Sequence, residues 1–422
     1  MELLAPAGSM EALRAAVCNG ADAVYLGADT FNARMNARNF SAADLQEAVV
    51  YCHVRGVKVH LTLNTLVLDR EMPRAAELIR LAASCGVDAF IVQDLGVVSL
   101  CRQLAPDVPI HASTQMSIHS LEGVMEAAAL GCSRVVLARE LPAEEIAHIC
   151  KKSPVEIEVF VHGALCMCYS GQCYLSSVIG RRSGNRGQCA QPCRLPYGYG
   201  RFESTRYPLS LKDNCLAGER DELRRMGVAS IKIEGRMKRP EYVAIVTRAY
   251  RTVLNGGKLM PSDLQELETA FSRQGFTDGY FRGQTGSDMF GRRQEGEDTA
   301  DLFASARATY EQGEPQRIGV RFYAMIRRGE RRAARRRGPG RQPLPDPRPR
   351  AGAGGLPVAH AAGSGAAAEK NRRNAVSVHR RPLVSGPRSD APGVRHQRHA
   401  ARCDRGADRK ARPCRARASE RV

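Results

Sequence analysis

CGVDAFIVQ, residues Cys85 to Gln93, sets a glycine directly before a short run of apolar residues with no polar alternation. Such a run suits a parallel strand covered on both faces, because alternation is needed only where one face meets water. The glycine suits the end of a preceding helix, where a left-handed residue closes the last turn. The same unit recurs at NGADAVYLG (Asn19 to Gly27), RGVKVHLTL (Arg55 to Leu63), LGCSRVVLA (Leu130 to Ala138) and MGVASIKIE (Met226 to Glu234). ELLAPAG at the start, PIHAST around Ile110 and EIEVFV around Phe160 bring the expected strands to eight. Amphipathic segments lie between most of them. Ser41 followed by AADLQEAVVYCHV reads as a serine cap and then a helix. Strict β/α alternation over eight strands predicts a (β/α)8 TIM-like barrel or a distorted version of one. A doubly wound sheet is the alternative, but no G-x-G-x-x-G follows the first strand.

Composition divides the chain. Residues 317–422 hold 28 Lys plus Arg and 7 Asp plus Glu, leaving 63 − 28 = 35 basic and 44 − 7 = 37 acidic residues in the remainder. All the excess positive charge is therefore in the tail. Beyond Glu330 there is no Phe, Tyr, Trp, Ile or Met, so this segment lacks the apolar surface that offsets the entropy of ordering. Arginine far outnumbers lysine and no aromatic residue is interleaved, which points away from an RNA-binding tail and toward a GC-rich gene read out of frame. The expected organisation is a barrel over 1–256 and a helical appendage with the start of a truncated second domain over 257–328. A disordered, Arg-rich frameshift product is expected over 329–422.

Four cysteines fall in the connection between the seventh and eighth expected strands: Cys166, Cys173, Cys189 and Cys193, spaced C-x6-C-x15-C-x3-C. Glycine, serine, asparagine and arginine separate them, so several thiolates can turn toward one point. Cys18, Cys52, Cys85, Cys101, Cys132 and Cys150 sit in apolar helical runs and read as small core residues. MELLAPAGSMEALRAA has neither the basic nor the apolar region of a secretory signal, so a cytoplasmic location without stable disulfides or membrane attachment is expected. The spacing alone does not choose between zinc and iron–sulfur, and Cys168 and Cys215 are further candidates.

Barrel enzymes place their chemistry where strands end. Asn64, Gln93, Gln115, Arg139, Glu158, His162, Lys232, Glu234, Arg236 and Lys238 stand near expected strand ends. Arg139, Arg236 and Lys238 offer the charge to hold an anionic small molecule or a phosphate. Asn64, Gln93 and Gln115 offer amides to read a base edge.

EVFVHGALCMCYSGQCYLSS (Glu158 to Ser177), RSGNRGQCAQPCR, HASTQMSIHS, LSLKDNCL and IKIEGRMKRPEYVA together resemble peptidase family U32, the collagenase-like peptidases. The resemblance covers roughly residues 1–316 and is nearest to the longer, 23S rRNA cytidine hydroxylase-like branch. It implies an iron–sulfur-dependent, oxygen-independent hydroxylase acting on rRNA or tRNA, with prephenate as hydroxyl donor. It also implies a 4Fe-4S cluster on Cys166, Cys173, Cys189 and Cys193, with Cys215 in reserve for the fourth position. The catalytic candidates, read from the strand ends rather than from the resemblance, are Asn64, Gln115, Arg139, Glu158, His162, Lys232, Glu234 and Arg236. Collagenase-like proteolysis is the alternative the family name implies, although the sequence offers no Ser-His-Asp set and no H-E-x-x-H. A non-catalytic iron–sulfur or partner protein is the third.

Overall fold

The computed structural model describes residues 1–34, 37–198, 206–292 and 299–312, and the backbone of 321–325 and 333–337. Seven strands run from β1 to β7: β1 (Glu2–Pro6), β2 (Ala23–Gly27), β3 (Lys58–Leu63), β4 (Ala89–Val92), β5 (Ile110–Ala112), β6 (Arg134–Val136) and β7 (Glu156–Ala164). They are followed by β8 (Asp213–Cys215), β9 (Ser230–Ile233) and β10 (Phe276–Thr277). Strands β1 to β7 pair in parallel, each with the next. Strand β9 then pairs in parallel with both β7 and β1, closing a ring of eight. This is a (β/α)8 barrel. Strand β8 lies antiparallel on the far end of β7, and β10 pairs with β8, so both stand outside the ring.

Helices α1 (Met10–Cys18), α2 (Ala42–His53), α3 (Met72–Cys85), α4 (Leu95–Leu104), α5 (Leu121–Ala129) and α6 (Ala143–Lys152) follow the first six strands in turn. Short α7 (Leu175–Gly180) lies in the cysteine crossover, α8 (Arg220–Met226) precedes β9, and α9 (Pro240–Leu254) follows it. The serine at 41 caps α2 in a reciprocal box with Asp44, and Gly86, at φ 85°, ends α3. Beyond the barrel come α10 (Pro261–Ala270) and α11 (Ala300–Glu311). The latter is tied to α1 through Asn19 Nδ2, which donates to Thr309 Oγ1 at 2.9 Å.

Side chains alternate along the strands. Leu3, Val24, Leu61, Phe90, Val135, Val159 and Ile231 face the helices in one continuous apolar core, while Leu4, Ala23, Tyr25 and Ile91 pack together inside the ring. The rest of the interior is polar, with His60, His111, Arg134, Glu158 and Lys232 all buried. Glu158 accepts from Lys232 Nζ and from Arg134 Nη1, each at 3.0 Å, and Arg134 reaches Glu2 and Glu156 at 2.6 Å. A charge is tolerated here because each one is paired.

Strands β11 (Arg321–Met325) and β12 (Ala333–Arg337) form an antiparallel pair. One strand of this pair, β12, lies within 329–422, the segment expected to be without structure. Of the segment read as out of frame, 329–422, residues 329–332 and 338–422 lie outside the described residues. Among the described residues no helix is long and apolar enough to cross a membrane.

Candidate active site at the barrel mouth

A cavity of about 540 Å³ opens where the barrel strands end. Cys166, Cys173, Cys189 and Cys193 all line it, together with Gln115, Arg139 and Glu234. The crossover that carries the thiols is fixed at several points. Arg194, next to Cys193, donates to Leu165 and Leu211 carbonyls, and so ties the two ends of the crossover together. Arg186 grips Glu71 with both guanidinium nitrogens, at 2.7 and 2.9 Å, and donates to the Leu66 carbonyl. Ser117 Oγ donates to the Ser170 carbonyl at 2.6 Å. A loop held this firmly presents its cysteines from one wall.

Cys189 Sγ accepts the Gln191 N–H at 3.4 Å and faces the Ser176 hydroxyl at 3.9 Å. Burial pushes the Cys193 thiol up, against the pull of Arg194, and Cys166, Cys189 and Cys173 all stand near enough to act on it in the same direction. Cys166 is open to the cavity, yet the protein around it raises its thiol while Arg139 and Arg34 pull it down. Among the described residues no three His, Cys, Asp or Glu side chains converge on one point as the ligands of a single ion do. A zinc ion needs its sulfurs about 2.3 Å from one centre. A multi-iron cluster is bound through separate irons, and its thiolates stand around a larger body. The four-thiol wall, with an N–H donor to sulfur and guanidinium groups nearby, is a donor set that a zinc ion or an iron–sulfur cluster would draw on.

Cys215 is elsewhere. Its sulfur lies 3.8 Å from the Tyr250 hydroxyl and it does not line the cavity, so the reserve position falls away from the other four. Burial raises the Cys168 thiol, and Cys173 and Cys166 stand close enough to push it the same way, but it is also absent from the lining.

Glu234 accepts from Arg139 at 2.8 Å and from Arg34 at 3.1 Å. Burial alone raises a carboxyl, but the two arginines more than offset it and hold Glu234 at about 2. Arg139 also donates to the Ala164 carbonyl at 2.9 Å and lies 3.9 Å over the Phe160 ring. Among the described residues six cations line the cavity (Arg34, Arg139, Arg194, Lys238, Arg273 and Arg292), against one carboxylate, that of Glu234.

The remaining expected residues have other places. Asn64 Oδ1 accepts the Ala33 N–H at 3.0 Å and shapes the loop that carries Arg34. Gln93 donates to the Gln115 carbonyl at 3.3 Å. Arg236 is buried, donating to Thr62 Oγ1 at 2.7 Å and Asn32 Oδ1 at 2.6 Å. Glu158 and Lys232 belong to the ionic network inside the barrel and do not line the cavity. The β7–β9 register slips between Phe160 and His162, and His162 packs with Tyr242, Tyr250 and Phe276 rather than at the mouth. Burial holds its ring neutral down to about 3.

Two residues of the site carry no signal in the sequence. Arg194 lies beside Cys193 but acts on carbonyls on either side of the crossover. Arg273 comes from the segment after α10 and pairs with buried Asp213, 2.6 and 2.8 Å from its two oxygens.

The family model described as peptidase family U32 matches residues 8–290. This chain belongs to that family. Over 260 residues the U32 chain is 44% identical to the "23S rRNA 5-hydroxycytidine C2501 synthase" of Escherichia coli (strain K12), covering 60% of this chain and 39% of that one. The chain thus spans well under half the length of that relative. It is 37% identical over 311 residues to the "tRNA hydroxylation protein P1" of Bacillus subtilis (strain 168), covering 69% and 73% of the two. It is 36% identical over 309 residues to a "Collagenase" of Porphyromonas gingivalis, covering 67% and 74%.

Proposed function

We propose that the barrel mouth binds a 4Fe-4S cluster through Cys166, Cys173, Cys189 and Cys193 and hydroxylates a base of rRNA or tRNA without molecular oxygen. The observation that carries this reading is the four-thiol wall facing a cavity lined, among the described residues, by six cations and one carboxylate. A bound cluster supplies one-electron chemistry. The chain's own residues do the rest. Guanidinium groups match carboxylates and phosphates in geometry, so Arg34 and Arg139, bridged by Glu234, suit an anionic hydroxyl donor, with the dicarboxylate prephenate as the candidate. Gln115, on the cavity wall, has the amide to read the edge of a base taken out of its stack. The names of the E. coli and B. subtilis relatives point the same way.

A collagenase-like peptidase has less support. Among the described residues no histidine lines the cavity as the imidazole base that a cysteine peptidase pairs with its thiol. The test is mass spectrometry of RNA from a strain lacking the gene. One hydroxylated nucleotide should vanish, and return with the wild-type gene but not with Cys189→Ala. An unchanged nucleotide pool, or full return with Cys189→Ala, would overturn the reading.

A further inference from the structure

Tyr169 lines the cavity and is 59% exposed. Its exposure is not that of a loose loop. The next residue is fixed on both sides: its carbonyl accepts from Ser117 Oγ at 2.6 Å, and its own hydroxyl donates to Glu140 at 3.1 Å. Gly171, at φ +82°, then lies so close against the Gln115 carbonyl that a Cβ has no room. The Tyr169 ring stands beside His119, centroids 5.8 Å apart and tilted 39°, and His119 Nδ1 is itself 2.7 Å from the Ser117 carbonyl. Two exposed rings are thus held side by side on a stiff rim. A third aromatic, Tyr207, lines the same cavity with Arg292 5.8 Å from its centroid.

Burial of so large a ring is favourable, and a rim that keeps one exposed on a fixed backbone is preorganised for something that covers it. Rings interleaved with cations hold single-stranded nucleic acid, since bases stack on the faces while phosphates meet the charges. Here Arg139, Arg292 and Lys238 line the same opening as Tyr169. The exposed apolar side chains of α7, Val178 at 81% and Ile179 at 62%, lie in the same crossover and make a protein partner the competing occupant.

We infer that the Tyr169 ring is a stacking platform for the nucleobase adjoining the one that enters the mouth. This rests on the RNA reading above and names the residue that would position the strand. The chain has no tryptophan, so Tyr169→Trp in the full chain places its one tryptophan, excited apart from the tyrosines, at the proposed contact. Titration with a single-stranded RNA oligonucleotide is expected to quench that emission, and an abasic strand of equal length should not. Tyr169→Leu should weaken RNA binding about ten-fold while Tyr169→Phe binds as wild type, with iron content equal in all three. Absence of quenching, or equal quenching by the abasic strand, overturns the inference. Should Tyr169→Leu restore the hydroxylated nucleotide in the deletion strain as well as wild type does, the platform falls while the hydroxylase reading stands. Loss of no nucleotide on deletion defeats the hydroxylase reading itself. Quenching by an electron-transfer protein and not by RNA assigns the rim to a protein and likewise overturns the inference.

Discussion

Arg186 and Glu71 form a two-pronged ion pair, at 2.7 and 2.9 Å, that fastens the cysteine crossover to the loop ahead of α3. The arginine stands three residues before Cys189 and so couples the position of the thiol wall to the barrel.

Arg186→Ala should therefore loosen the crossover more than it destabilises the fold. Both side chains are partly exposed, and such pairs contribute about 1 kcal/mol or less. Urea denaturation should show a loss of that size, while iron retention after dialysis drops markedly. Glu71 is held at about 2, chiefly by the arginine, so the contribution is present above its ordinary value of 4.5 and fades as pH falls toward 2. Unchanged iron retention would mean that other contacts hold the loop.

Lys232→Met should unfold the protein more readily rather than disable its chemistry alone. The lysine is buried against fully buried Glu158, and removing one partner of such a pair costs about 3–5 kcal/mol. Differential scanning calorimetry checks this. A variant of native stability with abolished hydroxylation would instead place Lys232 in the reaction.

Acid should weaken the fold through its buried imidazoles. Burial lowers His162 from 6.5 to about 3 and His60 to about 4. Below pH 6.5 the unfolded chain takes up protons that the folded one refuses, so stability falls as pH drops through this window. His162→Phe, in its surround of Tyr242, Tyr250 and Phe276, should flatten the dependence of unfolding free energy on pH by about 1.4 kcal/mol per unit. Parallel slopes for variant and wild type would contradict a neutral His162.

Cys193→Ser and Cys215→Ser separate the two candidates for the fourth thiol. Cys193 lines the cavity with the other three, whereas Cys215 faces the Tyr250 hydroxyl. Iron analysis after anaerobic purification should show loss in the first and none in the second; the reverse pattern would move the ligand set onto β8.

The barrel was legible because its signals are local. Gly20, Gly56, Gly86, Gly131 and Gly227, each ahead of an apolar run, all have positive φ, and eight such runs became the eight strands of the ring. The cysteine wall was legible from spacing and loop chemistry. Glu158 and Lys232 read as site residues in the sequence, and the structure places them in the ionic network inside the barrel; a charge within an apolar strand reads the same whether it faces a substrate or another buried charge. Only the register, which places Lys232 beside Phe160 and Leu4, distinguishes the two. His162 is displaced by a register slip that nothing in HGALC announces. Arg194 and Arg273 take their roles from carbonyls and a carboxylate that only the folded chain brings to them.

The central claim is that four thiols at the barrel mouth hold iron. Iron and acid-labile sulfide, measured together on the full chain purified without oxygen, test it most directly. Near-equal amounts of both are expected, with broad visible absorption that Cys189→Ala abolishes. Protein free of labile sulfide under those conditions, or carrying zinc in its place, would contradict the account.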